Sequence, residues 1–326
     1  MPELPEVEAA LEFLRTRARG RAIARVRLLH PALQRRLSPA QLQALAGARI
    51  ARVERRGKHQ LLHLDDGRVL HAHFRMNGDW ALTETNAPLP RFARAAIDLD
   101  DDTSLIFVDS RALGTIDLHP AGVALDLGLG PDAADPEWTA SQLADELARR
   151  RGPVKPALLD QRLVAGLGNI YAAESLWRAR ISPFAPGNAL ARERVQSLRE
   201  AIDAVLRRAT GSRYTDDDTV TLDVYDREGL PCRRCRTPIE RAVQAGRSTY
   251  FCPTCQPREI AAKHGTAKKT AKKTAKKTAK KTAKKTAKKT AKKTATAKKT
   301  AKKGAKKTAK TIAKKPAKRA ARSRRA

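Results

Sequence analysis

The sequence predicts an α+β protein with a β-rich N-terminal part, a helical part, a small four-cysteine module and a basic tail. Three observations predict it. Short β-like runs between turn signals fill residues 22–117, helical periodicity takes over after residue 139, and all four cysteines fall between Cys232 and Cys255. The expected divisions are residues 1–125, 131–225, 226–258 and 261–326.

The first element, over residues 3–19, reads as an amphipathic helix with Leu4, Val7, Leu11 and Leu14 on one stripe. Pro5 suits the first turn, and Glu3, Glu6 and Glu8 suit the positive end of the helix dipole. The runs at residues 48–53, 60–64, 69–74 and 105–108 alternate with Asp-Asp-Gly and Asn-Gly turn signals, so a sandwich or barrel-like sheet is expected. A Gly- and Pro-containing linker ends near Trp138. Helices are predicted over residues 139–150, 154–163, 170–179 and 189–209. The turn Ala165-Gly166-Leu167-Gly168-Asn169 lies between the second and third. That layout suits a helix-turn-helix whose turn amides face a phosphate, and equally an ordinary helical hairpin.

The net charge of +33 is unevenly spread. Residues 261–326 hold 29 of the 67 Lys and Arg and no acidic residue, leaving 38 basic against 34 acidic side chains in the rest. The front part therefore has an ordinary globular balance. The tail repeats Thr-Ala-Lys-Lys, has almost no large apolar side chains, and is expected to be disordered alone and to bind polyanions such as nucleic acid non-specifically. A purely solubilising tail is the alternative. No apolar run is long enough for a membrane span, and the acidic start MPELPEVEAALEFL is no secretory signal, so no membrane association and a cytoplasmic place at the nucleoid are expected.

Cys232-x2-Cys235-x16-Cys252-x2-Cys255 has the spacing of two zinc knuckles. Four thiolates fill the coordination sphere of one Zn2+, so the ion is expected to be structural rather than catalytic. Two disulfides are the alternative. Between the knuckles, Arg241, Arg247, Tyr250 and Phe251 lie in a hairpin-like stretch suited to phosphate contact. At the other end, loss of Met1 would leave Pro2 with a free secondary amine, able to form an iminium with a sugar C1′, and Glu3 beside it could supply a proton. Taken alone, Met-Pro-Glu reads as a plain helix start.

MPELPEVE, together with RRGKHQLLHL, HFRMNG, LLDQRLVAGLGNIYAAESL and VYDREGLPCRRCRTPIERAVQAGRSTYFCPTC, resembles the formamidopyrimidine-DNA glycosylases, bacterial enzymes that excise oxidised purines. These segments follow the family order across most of residues 1–256. The resemblance implies an N-terminal β-sandwich, a helix-two-turn-helix module and a C-terminal zinc finger, with damaged double-stranded DNA bound between the lobes by a monomer. It implies Pro2 as the Schiff-base nucleophile, Glu3 as the proton donor and Glu6 in the same pocket. Lys58, otherwise a solvated strand lysine, is implied as a phosphate ligand and proton donor for β-elimination. Asn169 and Arg247 are implied as phosphate clamps, Arg247 also assisting δ-elimination, with Arg150 and Lys155 near the backbone or the flipped nucleotide. Met76 matches the residue wedged into the gap left by the flipped nucleotide, and Arg111 the one facing the orphaned base. Core filling and a surface ion pair are their plainer alternatives. His71 and His73 read as structural.

The implied activity is base-excision repair: base removal through a Pro2 Schiff base, then β,δ-elimination. Three departures bear on the lesion. Leu113 stands where the family has phenylalanine, Phe92 stands near a DNA-contacting histidine, and residues 210–222 look short for a loop closing over an oxidised purine. Formamidopyrimidines are expected substrates and 8-oxoguanine is doubtful. Oxidised pyrimidines, abasic sites alone, or a non-catalytic architectural role are the alternatives. The Lys-rich tail lies outside the family pattern and looks like a histone-H1-type extension.

Overall fold

The computed structural model describes residues 2–211 and 221–258. The expected short loop at 210–222 falls mostly, and the expected tail wholly, outside the described residues.

Helix α1 (Leu4–Arg17) opens the chain, with Pro5 in its first turn and Val7, Leu11 and Leu14 fully buried. Eight strands follow: β1 (Ile23–Leu28), β2 (Ile50–Arg56), β3 (His59–Leu64), β4 (Val69–His73), β5 (Gly78–Glu84), β6 (Ala93–Leu99), β7 (Thr103–Asp109) and β8 (Thr115–His119). They form two antiparallel four-stranded sheets, ordered β1-β6-β7-β5 and β2-β3-β4-β8. Apolar residues of both sheets and of α1 share one core, in which Trp80 meets Phe107 edge-on at 5.1 Å. Of the sandwich and barrel alternatives, the sandwich is the one formed.

Two short helices interrupt the region expected to be all β-like: α2 (Pro31–Gln34) and α3 (Pro39–Ala44). Each starts on a proline whose fixed φ suits a first helical turn, after the capping side chains of His30 and Ser38.

The helical lobe comprises α4 (Ala140–Ala148), α5 (Val154–Leu158), α6 (Asn169–Arg178) and α7 (Arg192–Arg208), around a second core that includes Trp138, Leu163, Tyr171 and Leu198. Helix α5 is shorter than expected. Beyond Leu158 the chain bends, and the Gln161 amide takes over: its Nε2 donates to the carbonyls of Leu159 and Leu167 while its Oε1 accepts from Gly166 N–H. A hairpin of β9 (Glu240–Gln244) and β10 (Arg247–Phe251) is the last element among the described residues, tightly turned at Ala245 and Gly246, both at positive φ. It packs on α6 through Trp177, Ile239, Tyr250 and two of the cysteines. Among the described residues no helix is long and apolar enough to cross a membrane.

Candidate active site and metal centre

Glu3 organises the site. Its carboxylate is fully buried and accepts hydrogen bonds from the backbone N–H groups of Gly168 at 2.8 Å, Ile170 at 2.8 Å and Tyr171 at 3.2 Å. These amides open α6, whose unpaired donors and dipole favour an anion. Of the turn considered for phosphate, the Gly168 amide is therefore spent on a carboxylate of the protein itself, and the Gly166 amide on Gln161. The glycines make this approach possible: a Cβ at Gly168 would sit 2.3 Å from the Glu3 carboxyl carbon, and one at Gly166 would sit 2.5 Å from Leu4 Cδ1. Leu4 N–H also donates to Gly166 O, so the chain start is stitched to this turn at backbone level.

Pro2 is buried immediately before Glu3. Glu6 accepts from Glu3 N–H at 2.8 Å, and Tyr171 Oη donates to its other oxygen. Burial pushes the Glu3 carboxyl above its ordinary 4.5, against the pull of Lys58 and the helix amides. Lys58 sits at the two-residue turn joining β2 to β3, half-buried, and burial holds its ammonium below the ordinary lysine range, with Arg247 acting the same way and Glu3 opposing. That turn is braced by Arg55, which forms a bidentate pair with Asp132 at 2.5 and 3.0 Å and a further bond to Glu8 at 2.5 Å. Asp132 also accepts from Gly57 N–H at 2.9 Å.

Lys155, expected near the DNA backbone, is 1% exposed. Its ammonium donates to Asn169 Oδ1 at 2.6 Å, Thr249 Oγ1 at 2.9 Å and Ser248 O at 3.0 Å. Asn169 Nδ2 donates to the same Ser248 carbonyl at 3.0 Å. Burial lowers Lys155 to about 8. It thus ties α5 and the α6 start to β10, where Arg247 stands exposed at the hairpin tip. Glu3, Glu6, Lys58, Lys155, Asn169 and Arg247 form one constellation. Arg150 is not drawn into it by any of these bonds; its guanidinium pairs with Asp160 at 3.0 Å.

Met76 lies in the β4–β5 turn and Arg111 in the β7–β8 loop. The register Gly78↔Asp109 puts both at one end of the sandwich, and His59↔His73 brings the Lys58 turn to that end. Met76 is half-buried and Arg111 exposed. Asp109, itself buried, holds the Arg111 loop by accepting from the N–H groups of Arg111, Leu113 and Gly114. His71 lies 2.8 Å from His59 and 3.2 Å from His119, and burial keeps both His71 and His59 down at about 4 and His73 at about 3.

The four cysteines are unpaired thiols whose sulfurs all lie within 4.8 Å of one another. A Zn–S distance of about 2.3 Å demands sulfurs roughly 3.8 Å apart. The measured 4.0 Å between Cys232 and Cys255 and 3.4 Å between Cys235 and Cys252 bracket it, so these residues fit one tetrahedral zinc and no disulfide. Trp177 Nε1 donates to Cys232 Sγ at 3.4 Å and links the centre to α6. Sequence reasoning missed Asp132, Gln161 and Tyr171. None carries a recognisable local pattern; Asp132 and Tyr171 act through partners distant in the chain, and Gln161 through irregular backbone within six residues of it.

Family models for the formamidopyrimidine-DNA glycosylase N-terminal domain, its H2TH domain and a zinc finger found in FPG and IleRS match residues 1–116, 129–218 and 229–258. The formamidopyrimidine-DNA glycosylase of Chloroflexus aurantiacus is 42% identical over 271 residues, covering 78% of this chain and 98% of its own length. That of Symbiobacterium thermophilum is 43% identical over 274 residues, covering 79% of this chain and 90% of its own. The crystal structure of the Lactococcus lactis enzyme with abasic-site DNA aligns at a TM-score of 0.72 and 31% identity, over 78% of this chain and all of that one. The same protein bound to Fapy-dG DNA matches equally well.

Proposed function

The chain belongs to the formamidopyrimidine-DNA glycosylase family, and from that premise we propose how its buried constellation works on DNA. It is a base-excision-repair enzyme, a DNA glycosylase and abasic-site lyase with one structural zinc.

Pro2, freed by removal of Met1, attacks C1′ of a flipped nucleotide as the N-glycosidic bond breaks, and the departing base takes up the proton that the amine loses; the C1′–O4′ bond then opens, O4′ gains a proton, and the amine and open sugar are left as an iminium. Glu3 provides that proton. A single observation carries this reading: the carboxyl next to Pro2 is buried, held in place by three helix amides and raised above its ordinary pKa, so it keeps a proton where an exposed glutamate would not. Glu6 orients Glu3 through its N–H. Lys58, whose ammonium burial holds below the ordinary lysine range, binds a phosphate and donates a proton in β-elimination, and Arg247 assists the δ step. Asn169 and Arg247 clamp the phosphates, with Lys155 positioning both from beneath rather than touching DNA, and Arg150 borders the backbone. Met76 fills the gap in the stack and Arg111 faces the orphaned base.

For the lesion we propose formamidopyrimidines and abasic sites ahead of 8-oxoguanine, since Leu113 is aliphatic and 46% exposed where an aromatic would stack. The enzyme acts as a monomer in the cytoplasm at the nucleoid, its tail holding the DNA backbone non-specifically.

Borohydride trapping on duplexes carrying 8-oxoguanine, a formamidopyrimidine, an oxidised pyrimidine or an abasic site tests this. The parent should give a covalent adduct fastest on formamidopyrimidine and abasic DNA, and Pro2→Gly none. An equal adduct with Pro2→Gly would overturn the Pro2 assignment, and fastest trapping on 8-oxoguanine the lesion order.

A further inference from the structure

Phe92 carries an exposed aromatic ring on a backbone that resists it. Ala93 N–H donates to Pro90 O at 3.1 Å, closing a four-residue turn in which Phe92 is third, at φ +67°. Glycine or asparagine ordinarily fills that position, and a bulky side chain there is strained. The residue is 38% exposed and lies outside the sandwich core, so core packing does not account for it. Strain retained without a packing return points to function.

The surroundings indicate which function. The guanidinium of Arg91 lies 4.5 Å from the ring centroid and that of Arg94 5.8 Å. Arg94 Nε donates to Asp109 O at 2.6 Å, and Asp109 N–H donates to Phe92 O at 3.0 Å. Asp109 is also the residue whose carboxylate holds the Arg111–Gly114 loop. Phe92 and that loop are therefore two parts of one unit, and a strand that meets Arg111 lies beside Phe92. A partly exposed aromatic ring with arginine guanidinium groups over it is the composition of a base-stacking platform, in which arginine adds a cation–π contribution. Leu113, on the same loop, has no π face to offer.

Building on the glycosylase reading, we propose that Phe92 is a specificity residue that stacks on an unstacked base of the strand opposite the lesion. Extrusion of the damaged nucleotide opens the stack there. The contact is made to damaged DNA alone, because intact duplex presents no free base face.

The test is binding of the full chain to a duplex bearing a tetrahydrofuran abasic analogue and to the same duplex undamaged. The analogue forms no iminium, so this readout stands or falls independently of the Pro2 chemistry. Phe92→Gly suits the φ of +67° and removes the ring; Phe92→Trp keeps a stacking face. The glycine variant should lose about tenfold in affinity for the analogue duplex, within the range of one base–aromatic stack. It should keep its affinity for undamaged duplex, its salt dependence on both, and a melting temperature at or above the parent's. The tryptophan variant should bind the analogue like the parent. Parent-like binding by Phe92→Gly overturns the proposal, and so does an equal loss on undamaged DNA, which would make Phe92 a general backbone contact.

Discussion

Glu3 is a carboxylate in a place where water cannot reach it, and its three amide donors decide what a substitution does. Glu3→Gln keeps the shape but turns one oxygen into an NH2 that faces a backbone N–H of Gly168, Ile170 or Tyr171. A buried donor left without an acceptor costs about 1–3 kcal/mol, so the variant should melt several degrees lower as well as lose base excision. In the parent, the rate of base loss should fall as pH rises through the Glu3 value, which lies above 4.5, because the raised acid gives up its proton later than a free glutamate. Single-turnover excision across pH checks this. An alkaline limb that persists unchanged in the Gln variant would remove Glu3 as its source. Glu3 itself was legible from MPELPEVE, but its partners were not. They lie 165 to 168 residues away, and no local pattern announces a pairing of that span.

At the scale of elements, Lys155 shows how a helix, a helix start and a hairpin become one piece. Its three bonds reach Asn169, Ser248 and Thr249, and its value of about 8 against an ordinary 10.5 means the folded chain holds that proton less tightly than the unfolded one. The sign follows by linkage: the contribution is present in full above 10.5 and is lost as pH falls through 8. Relative to Lys155→Met, the parent should therefore gain stability from pH 8 to 10.5 and show a flat difference below 8. Melting temperatures of the two proteins across that range would show it, and a flat difference throughout would mean Lys155 is not depressed. Helix α1, the hairpin strands and α7 were readable because periodicity and caps act between neighbours. Helices α2 and α3 were missed though their proline starts were visible, since a short helix has too few turns to show a period. The premature end of α5 depends on the Gln161 side chain, which does the work of helix hydrogen bonds without belonging to any pattern.

For the whole molecule, charge is the property that composition alone makes quantitative. The part up to Arg258 is close to balanced, and 29 Lys and Arg follow Ala261 with no acid among them. Truncation after Arg258 should weaken binding to undamaged duplex and flatten its salt dependence by ~0.9 in log–log slope for each phosphate that the tail neutralises. Lesion trapping at saturating enzyme should be unchanged. An unaltered slope would mean the tail does not touch DNA.

The sequence by itself determined the fold class, the zinc ligands and the family. Those properties reside in spacing: two CxxC pairs, alternating strands, a proline and a glutamate at the start of a helix. The tertiary structure alone decided what each group faces. It turned the amides of Gly168, Ile170 and Tyr171 onto Glu3, drew Lys155 under the surface, braced the Lys58 turn with Arg55 and Asp132, and put Phe92 and Arg111 on one unit. The physical reason is range. Caps, periods and metal knuckles are satisfied within a few residues, whereas a buried charge finds its partner only when the packing of both cores has brought distant segments together.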